Sequence, residues 1–211
     1  IQRRIINMAL IKVQSEGINL ADDFTFTGTV AGAGGGSMVL LAETTCSGVT
    51  SVDMNGYFTS DYDVYKFYLD GITVSVNGRY LALQFNTTGS YTTQTSSYYS
   101  ASPMAYTGAS ADITYIATNN GTHIRLMDDN SSTTSRSATI DLTIYNPLSA
   151  SYTKGTTYIF QGGEGSVERT RNGAGGGMWN STTAATGVRF MNDQGSNISI
   201  RKIRMYGIKN S

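Results

Sequence analysis

The chain has 211 residues, with 15 basic and 15 acidic side chains and a formal net charge of zero. Only 14% of the residues are charged, 24 are glycine and 2 are proline. This length suits one all-β domain or two small ones and is enough to bury a sizeable core, and the charge balance excludes the broad basic surface that nucleic-acid binding needs. No apolar run approaches the roughly 20 residues of a membrane-spanning helix. We therefore expect neither a nucleic-acid partner nor a membrane partner.

The chain opens with a short basic segment, Ile1–Asn7, and its first methionine is Met8. The apolar stretch that follows is brief and interrupted by Lys12, so we expect no secretory signal peptide. Three interpretations of Ile1–Asn7 stay open: a processed remnant, a misassigned start, or a basic arm that docks on a partner.

A strand-like piece, Phe24–Val30, stands alone in the N-terminal part and is followed by the glycine run Gly32–Gly36. A lone strand does not stand free with both edges unpaired, so it is predicted to add to its own sandwich, a sister subunit or a scaffold. The glycine run is predicted to be a flexible joint. Residues 1–36 therefore form a predicted extended docking arm, and residues 37–211 a separate domain. The residues expected to dock are Ile11, Val13, Phe24, Phe26 and Val30.

Alternation of apolar and polar residues dominates the rest of the chain, most clearly in Tyr62–Asp70, Arg79–Thr87 and Arg136–Asn146. Such alternation is typical of antiparallel sheets with one buried face and one wet face. Helical periodicity with a preceding cap is not found. Further strands are predicted at Met38–Thr45, Val49–Met54, Gln94–Ser100, His123–Met127, Thr157–Gly162, Gly187–Met191 and Asn197–Ile208. About ten short strands at near-regular spacing predict an all-β protein: an antiparallel, jelly-roll-like β-sandwich.

Two further features refine this prediction. The last strand changes the parity of its apolar residues, which predicts a bulge near Arg201–Lys202. Turn-forming residues separate the strands, at Asn55-Gly56, Asn77-Gly78, Asn119-Asn120-Gly121, Asp128-Asp129-Asn130 and Gln161-Gly162-Gly163.

Two glycine runs, Gly32–Gly36 and Gly173–Gly177, share the sequence GAGGG. A phosphate-binding loop would need a strand before the run and a helix after it. Neither run has that context. We therefore predict a linker for the first run and a surface loop for the second.

Nucleophilic and metal chemistry have few candidates in this chain. The single histidine, His123, alternates with Arg125 and Met127 and is predicted to lie on the solvated face of a strand. The single cysteine, Cys46, cannot form an intrachain disulfide and is predicted to be a small buried or edge residue. Metal sites built on several His and Cys ligands are impossible with one residue of each type. No nucleophile elbow is present.

Pairs of carboxylates deserve separate attention, because enzymes that cleave glycans use two acids. The pairs Asp61/Asp63 and Asp128/Asp129 fit ordinary turn chemistry, and neither follows the ordered spacing of a calcium-binding loop. We therefore predict a protein that is not an enzyme and has no cofactor and no metal, although calcium binding stays open. The pairs are Asp61/Asp63, Asp128/Asp129 and Glu164/Glu168.

Tyrosine is abundant, with 14 residues and a cluster of four. Exposed tyrosines beside Asn and Thr can stack on sugars, whereas core or subunit-interface packing also favours tyrosine. Interface packing is the favoured interpretation, and glycan contact is the alternative. The four residues are Tyr91, Tyr98, Tyr99 and Tyr106.

The opening Met8–Gly17, which reads MALIKVQSEG and continues INLADDFTFTGTV, resembles the start of many structural proteins from marine tailed phages, especially cyanophages. The resemblance covers Met8 to Lys209. It is carried further by Val49–Met54, Phe58–Lys66, Leu81–Phe85, Gly187–Phe190 and Ile203–Lys209.

This resemblance implies a virion component with a jelly-roll-like domain and no cofactor, assembled in the cytoplasm of the host bacterium. It also implies that translation starts at Met8, so Ile1–Asn7 departs from the family pattern. The first hypothesis is a capsid-decorating or cement protein, a homo-oligomer and specifically a trimer, docked by its arm on the major capsid protein. The second is a tail-fibre or host-receptor module that binds glycan among the tail components. A glycan hydrolase is a weaker third.

Overall fold

The computed structural model describes residues 37–87, 92–107, 112–164 and 169–209. The predicted arm, residues 1–36, lies outside the described residues, and so do its docking residues Ile11, Val13, Phe24, Phe26 and Val30.

The described residues form thirteen β-strands and one short 3-10 helix, Thr134–Arg136, and they contain no α-helix. The strands are β1 (Met38–Val49), β2 (Ser51–Asn55), β3 (Tyr62–Val74), β4 (Arg79–Thr87), β5 (Thr92–Thr93), β6 (Tyr98–Tyr106), β7 (Asp112–Gly121), β8 (Ile124–Asn130), β9 (Ala138–Tyr145), β10 (Lys154–Gly163), β11 (Thr170–Trp179), β12 (Ala185–Asn192) and β13 (Ile198–Lys209).

The strands build two antiparallel sheets, as the alternation predicts. The larger sheet has eight strands in the order β1-β13-β3-β9-β10-β11-β6-β7. The smaller has the order β2-β12-β4-β5, with β8 also paired to β4. The prediction of an all-β antiparallel sandwich is confirmed.

Eight of the strands follow the jelly-roll order. Counted one to eight along the chain, β1, β2, β3, β4, β8, β9, β12 and β13 lie as 1-8-3-6 in the large sheet and 2-7-4-5 in the small sheet. This arrangement of two four-stranded sheets is that of a jelly roll. Two insertions, β5–β7 and β10–β11, supply the remaining strands. We call β10, β11, β6 and β7 the extension, because they widen the large sheet beyond β9.

Apolar side chains from the inner faces of both sheets form one continuous core. In β9, the alternating residues Ala138, Ile140, Leu142 and Ile144 are all buried, as predicted. Rings from opposite sheets meet at the centre, where Phe67 and Phe190 pack edge to face at 5.7 Å. Removal of this apolar surface from water is the main force that holds the sheets together, and it needs no disulfide.

A second aromatic group fills the core beneath the extension. The rings of Tyr98, Phe85 and Trp179 stack with centroid distances of 5.8 to 6.4 Å. The Tyr98 hydroxyl accepts the Phe85 N–H at 2.8 Å and donates to the Gln94 carbonyl at 3.1 Å. These bonds satisfy its polar group inside the core.

The second glycine run forms part of β11, so the prediction of a surface loop for Gly173–Gly177 is wrong. A Cβ atom on Gly173 would lie 2.5 Å from the Phe160 ring, and one on Gly175 would lie 2.8 Å from the Tyr158 ring. Glycine is therefore required where aromatic rings of β10 cover the backbone of β11. Ladders of hydrogen bonds to β10 and β6 hold the strand despite the low strand propensity of glycine.

Several predicted boundaries are also wrong, because strand pairing runs further than the local turn residues indicate. Gln161-Gly162-Gly163 completes β10, and Asp128-Asp129-Asn130 completes β8. The predicted strand Gln94–Ser100 starts too early, since β6 begins at Tyr98 after Ser97 with a positive φ of 66°.

The predicted irregularity at Arg201–Lys202 is confirmed. Neither side chain is buried, although Ile200 and Ile203 on either side are. In the neighbouring strand, Gly71 has φ +68° beside Arg201, so β3 changes parity at the same level. Both strands therefore keep their apolar residues directed into the core.

Candidate functional site

Among the side chains that the structure describes, none on the outward sheet face of the extension is charged. Cross-strand register places the outward residues of its four strands together on this face. We call it the outer patch. Its large apolar members are Tyr99, Ile113, Tyr115, Ile159 and Met178, and its small members include Ala101, Pro103, Ala105, Ala117, Ala174 and Gly176.

Three of the five large apolar side chains of the outer patch are strongly exposed to solvent. Ile113 and Ile159 are each 64% exposed, and Tyr115 is 75% exposed. The small residues of β11 and β6 lie between them, so the patch has a shallow floor and projecting flanks. Contiguous exposed apolar surface of this kind commonly marks a protein contact.

The rest of the same sheet face is covered by ion pairs between strands. Lys66 lies 3.3 Å from Asp141, and Glu43 lies 2.8 Å from Arg204 and 2.9 Å from Lys202. Hydrogen bonds from Arg204 and Lys202 hold the pKa of Glu43 below its usual range. Charged surface thus covers the jelly-roll strands, and uncharged surface covers the inserted strands.

Strand β7 gives the outer patch an open edge. It is the last strand of the large sheet, and among the described residues no strand pairs with its outer side. Its ten residues, Asp112–Gly121, contain neither lysine nor proline. Natural edge strands usually carry such residues or bulges to prevent pairing with other chains. At the opposite edge, β1 has three register shifts against β13, whereas β7 pairs regularly with β6 from Ser100 onward.

The four predicted tyrosines have different surroundings. Tyr99 lies half-buried in the outer patch, and Tyr106 is half-buried at the far end of β6. Tyr98 is 0% exposed, so its prediction as a glycan or interface contact is wrong: its ring belongs to the core. Tyr91 lies outside the described residues.

Sequence reasoning missed the main members of the outer patch, Ile113, Tyr115 and Ile159. The alternation within Thr157–Gly162 already separates Ile159 from its buried neighbours, but it does not say that β6 and β7 lie beside it. The signal that the sequence offered was Ile159 itself, an apolar residue on the solvent-exposed face of a predicted strand.

One acid from each of two predicted carboxylate pairs, Asp128 and Glu164, belongs to an ion-pair network at one end of the sandwich. Glu168 lies outside the described residues. Arg171 lies 3.1 Å from Glu164 and 3.6 Å from Asp128, so a guanidinium separates the two acids. Arg169 and Arg171 also lie over the Tyr106 ring, at 5.8 and 5.4 Å. This arrangement stabilises the ends of β8, β10 and β11.

The single histidine and the single cysteine are both at least partly buried. His123 is 9% exposed, so the prediction of a solvated position is wrong: it precedes β8 in a turn, outside the alternation of that strand. Burial lowers the pKa of its imidazole, with Asp193 acting in the opposite direction. Cys46 lies partly buried on edge strand β1, as predicted, and burial raises the pKa of its thiol.

Within the described part of the chain, no group of three His, Cys, Asp or Glu residues is placed to hold a metal ion. The same part contains no helix long and apolar enough to cross a membrane.

The fold and the outer patch together define a widened jelly-roll sandwich in which the charged part of one sheet face continues into an uncharged part on the extension. No protein-family model matches the chain, and no curated protein or solved structure matches it either.

Proposed function

We propose that this protein is a structural component of a tailed-phage virion, a capsid-decorating or cement protein. Copies pack laterally through the outer patch, and residues 1–36 dock on the major capsid protein. The observation that carries the proposal is the coincidence of the uncharged face with the strands inserted into the jelly roll. The resemblance of Met8–Val30 and Phe58–Lys66 to phage structural proteins supports the same function.

A second copy of the chain is the partner that suits the outer patch best. Two uncharged faces approach without electrostatic repulsion and without the cost of stripping water from charges. The open edge of β7 offers backbone hydrogen bonds to a further strand, and β7 carries no like charges along Ile113–Gly121 that would oppose self-pairing.

The size of the patch indicates a weak contact between individual copies. Four strands about 4.8 Å apart, each contributing about six residues at about 3.4 Å per residue, cover roughly 400 Å². A stable pair usually needs about 800 Å² from each partner. Many weak lateral contacts, added to a separate docking contact, are sufficient for a layer on a particle surface because linked contacts reinforce one another. We propose in addition that the protein is a homo-oligomer on the particle, and specifically a trimer, with docking holding the copies close enough for the weak lateral contacts to form.

The arm supplies the docking contact in this proposal. A strand formed by Phe24–Val30 would add to an open edge of the capsid protein by β-augmentation, with Phe24 and Phe26 directed to the same face. Ile11, Val13 and Val30 would provide the remaining apolar contacts.

Immunogold labelling of intact particles tests the location. Label spread over the head is the expected result. Label confined to the tail tip would favour the second candidate, a tail-fibre or host-receptor module, and absence of label from purified particles would contradict both.

Variants of the arm test the docking contact. Removal of residues 1–36 is expected to abolish particle binding and leave a folded sandwich, measured by co-sedimentation and circular dichroism. Phe24→Ser with Phe26→Ser is expected to reduce the bound copies at least about tenfold, through loss of buried apolar area. Thr25→Ser with Thr27→Ser is the matched control and should bind normally. Equal binding by both pairs of variants would contradict docking through this strand.

A further inference from the structure

A groove lies at one end of the sandwich, between the chain that leads into β3 and the loop that joins β9 to β10. Its volume is about 380 Å³. The residues that matter for its chemistry are Ser60, Tyr62 and Asp63 on one side and Asn146, Leu148 and Tyr152 on the other.

One wall of the groove is held by a buried tyrosine. Tyr65 is 0% exposed, and its hydroxyl accepts the Thr59 N–H at 2.7 Å and donates to the Thr59 carbonyl at 2.9 Å. The Phe58 ring packs against Tyr65 at 4.6 Å. Burial raises the pKa of Tyr65, so its hydroxyl stays protonated and able to donate. The backbone at Thr59 is therefore fixed from inside the core.

The opposite wall is held by a buried lysine. Lys154 is 0% exposed, and its ammonium donates to the carbonyls of Ser149, Tyr152 and Ser181 at 2.5, 2.8 and 3.3 Å. Burial lowers the pKa of Lys154. The Ser149 hydroxyl also accepts the Tyr152 N–H at 3.0 Å. A buried ammonium bonded to neutral carbonyls is costly, and here it fixes a surface loop in one conformation.

The two walls are joined at the edge of the groove. The Asn146 N–H donates to the Asp63 carbonyl at 2.6 Å, and Asn146 adopts a left-handed conformation with φ 47°. Asparagine tolerates this conformation better than most residues. Since buried side chains fix both walls and a hydrogen bond joins them, the groove is formed before any ligand arrives. Such preorganisation reduces the entropy that binding must overcome.

The chemistry of the groove suits a ligand with hydroxyl groups and one apolar face. Tyr152 lies on the loop that Lys154 fixes, and it is 71% exposed, so its ring is open to stacking. Asp63 and Asn146 provide a carboxylate and an amide beside it. Neither lysine nor arginine lines the groove in the part of the chain that the structure describes, and the carboxylate disfavours anions.

We propose that this groove binds a neutral saccharide. The Tyr152 ring stacks on the apolar face of a pyranose, the Asp63 carboxylate accepts hydrogen bonds from sugar hydroxyls, and Asn146 provides an amide donor and acceptor. The volume lies at the lower end of the range for ligand pockets, about 300 to 1,000 Å³, which fits about one or two sugar units. This inference is independent of the location of the protein on a particle.

Saturation-transfer NMR and calorimetry on the full-length chain test the proposal. The probes are free methyl glycosides and short oligosaccharides of glucose, galactose, mannose and N-acetylglucosamine, with glucuronic acid and sialic acid as charged comparisons. Because each probe is a small free molecule, self-association of the protein does not amplify its binding. Saturable binding of at least one neutral sugar, in preference to the acidic sugars, is expected.

Tyr152→Ala and Asp63→Asn are each expected to weaken binding at least about tenfold, the loss that accompanies one stacking or charged hydrogen-bond contact. Tyr115→Ala is the matched control, since Tyr115 is similarly exposed but lies in the outer patch. Failure of every neutral sugar to bind, preference for the acidic sugars, or equal loss in the Tyr115 variant would overturn the proposal.

Lys154→Met separates positioning from folding. An apolar side chain of similar length removes the buried charge but leaves the carbonyls of Ser149, Tyr152 and Ser181 without this donor, so the melting temperature should fall by only a few degrees and the protein should stay folded at the temperature of the binding assay. Binding should nevertheless weaken several-fold, because the loop that carries Tyr152 loses its anchor. Unchanged affinity in this variant would overturn the role assigned to Lys154.

Discussion

Buried side chains with a polar tip form hydrogen bonds to the backbone around them in this protein and hold it in one conformation. Tyr98 holds the start of β6 against β4, Tyr65 fixes the chain before β3, and Lys154 fixes the loop before β10. Tyrosine has an apolar ring and a polar tip, so local sequence does not distinguish a core position from an interface position. Burial of Tyr98 depends on Phe85 and Trp179, which come from distant strands.

A single residue, His123, makes the free energy of unfolding depend on pH. Burial lowers the pKa of its imidazole, so below about pH 6.5 the unfolded chain binds a proton that the folded chain does not. Its contribution to stability is therefore complete above that pH and declines as the pH falls. We expect wild type to lose more free energy of unfolding than His123→Gln between pH 7.5 and pH 5, measured by urea denaturation. Equal losses in the two proteins would contradict this assignment.

At the scale of elements, β11 shows how packing overrides local propensity. Glycine-rich sequence ordinarily indicates a loop, and GAGGG was predicted as one. The strand forms because Phe160 and Tyr158 need the space that its inward glycines leave free, and because it is hydrogen-bonded on both sides. Neither condition is visible within the run itself.

Gly175→Val tests this explanation of β11. The new side chain would collide with the Tyr158 ring and Ser102, so we expect a loss of about 2 to 3 kcal/mol in the free energy of unfolding. Ala174→Val is the control, because Ala174 faces solvent in the same strand, and its change should stay within about 0.5 kcal/mol. Urea denaturation measures both. A similar loss in both variants would show that strand β11 responds to bulk in general and not to the inward contacts.

At the scale of the whole molecule, two insertions widen one sheet of the jelly roll to eight strands. The extension adds four strands to one sheet and leaves the other sheet small. Ion pairs stay on the jelly-roll part of the outer face, and uncharged residues, most of them apolar or glycine, occupy the added part. This division of one face is the physical basis of the proposed lateral contact.

A charge placed in the outer patch should prevent self-association. Ile159→Lys introduces an unpaired ammonium at the proposed contact, so we expect a shift toward monomer of at least about tenfold in the dissociation constant. Thr139→Lys adds the same charge to the same face of the neighbouring strand β9, outside the patch, and should behave like wild type. Sedimentation velocity at increasing concentration measures the shift. Because the contact is weak, the wild-type protein is expected to associate only at high concentration. A wild type that stays monomeric up to about 1 mM, or equal effects of both substitutions, would contradict the lateral contact.

Much of the sandwich follows from short-range patterns. Alternation with a period of two identifies β3, β4 and β9, and the parity change in β13 identifies the irregularity at Arg201–Lys202. These features depend on residues only a few positions apart, so the sequence is sufficient to predict strands, buried faces and the antiparallel class.

The surfaces that carry the proposals depend on long-range pairing. β11 meets β6 although about 70 residues separate them, and Asp63 meets Asn146 across 83 positions. The outer patch and the groove exist only after the sheets have assembled, because no local pattern specifies which wet faces become neighbours. The strands with period-two alternation are therefore a local property of this chain, whereas β11, the contact face and the groove are products of the tertiary structure.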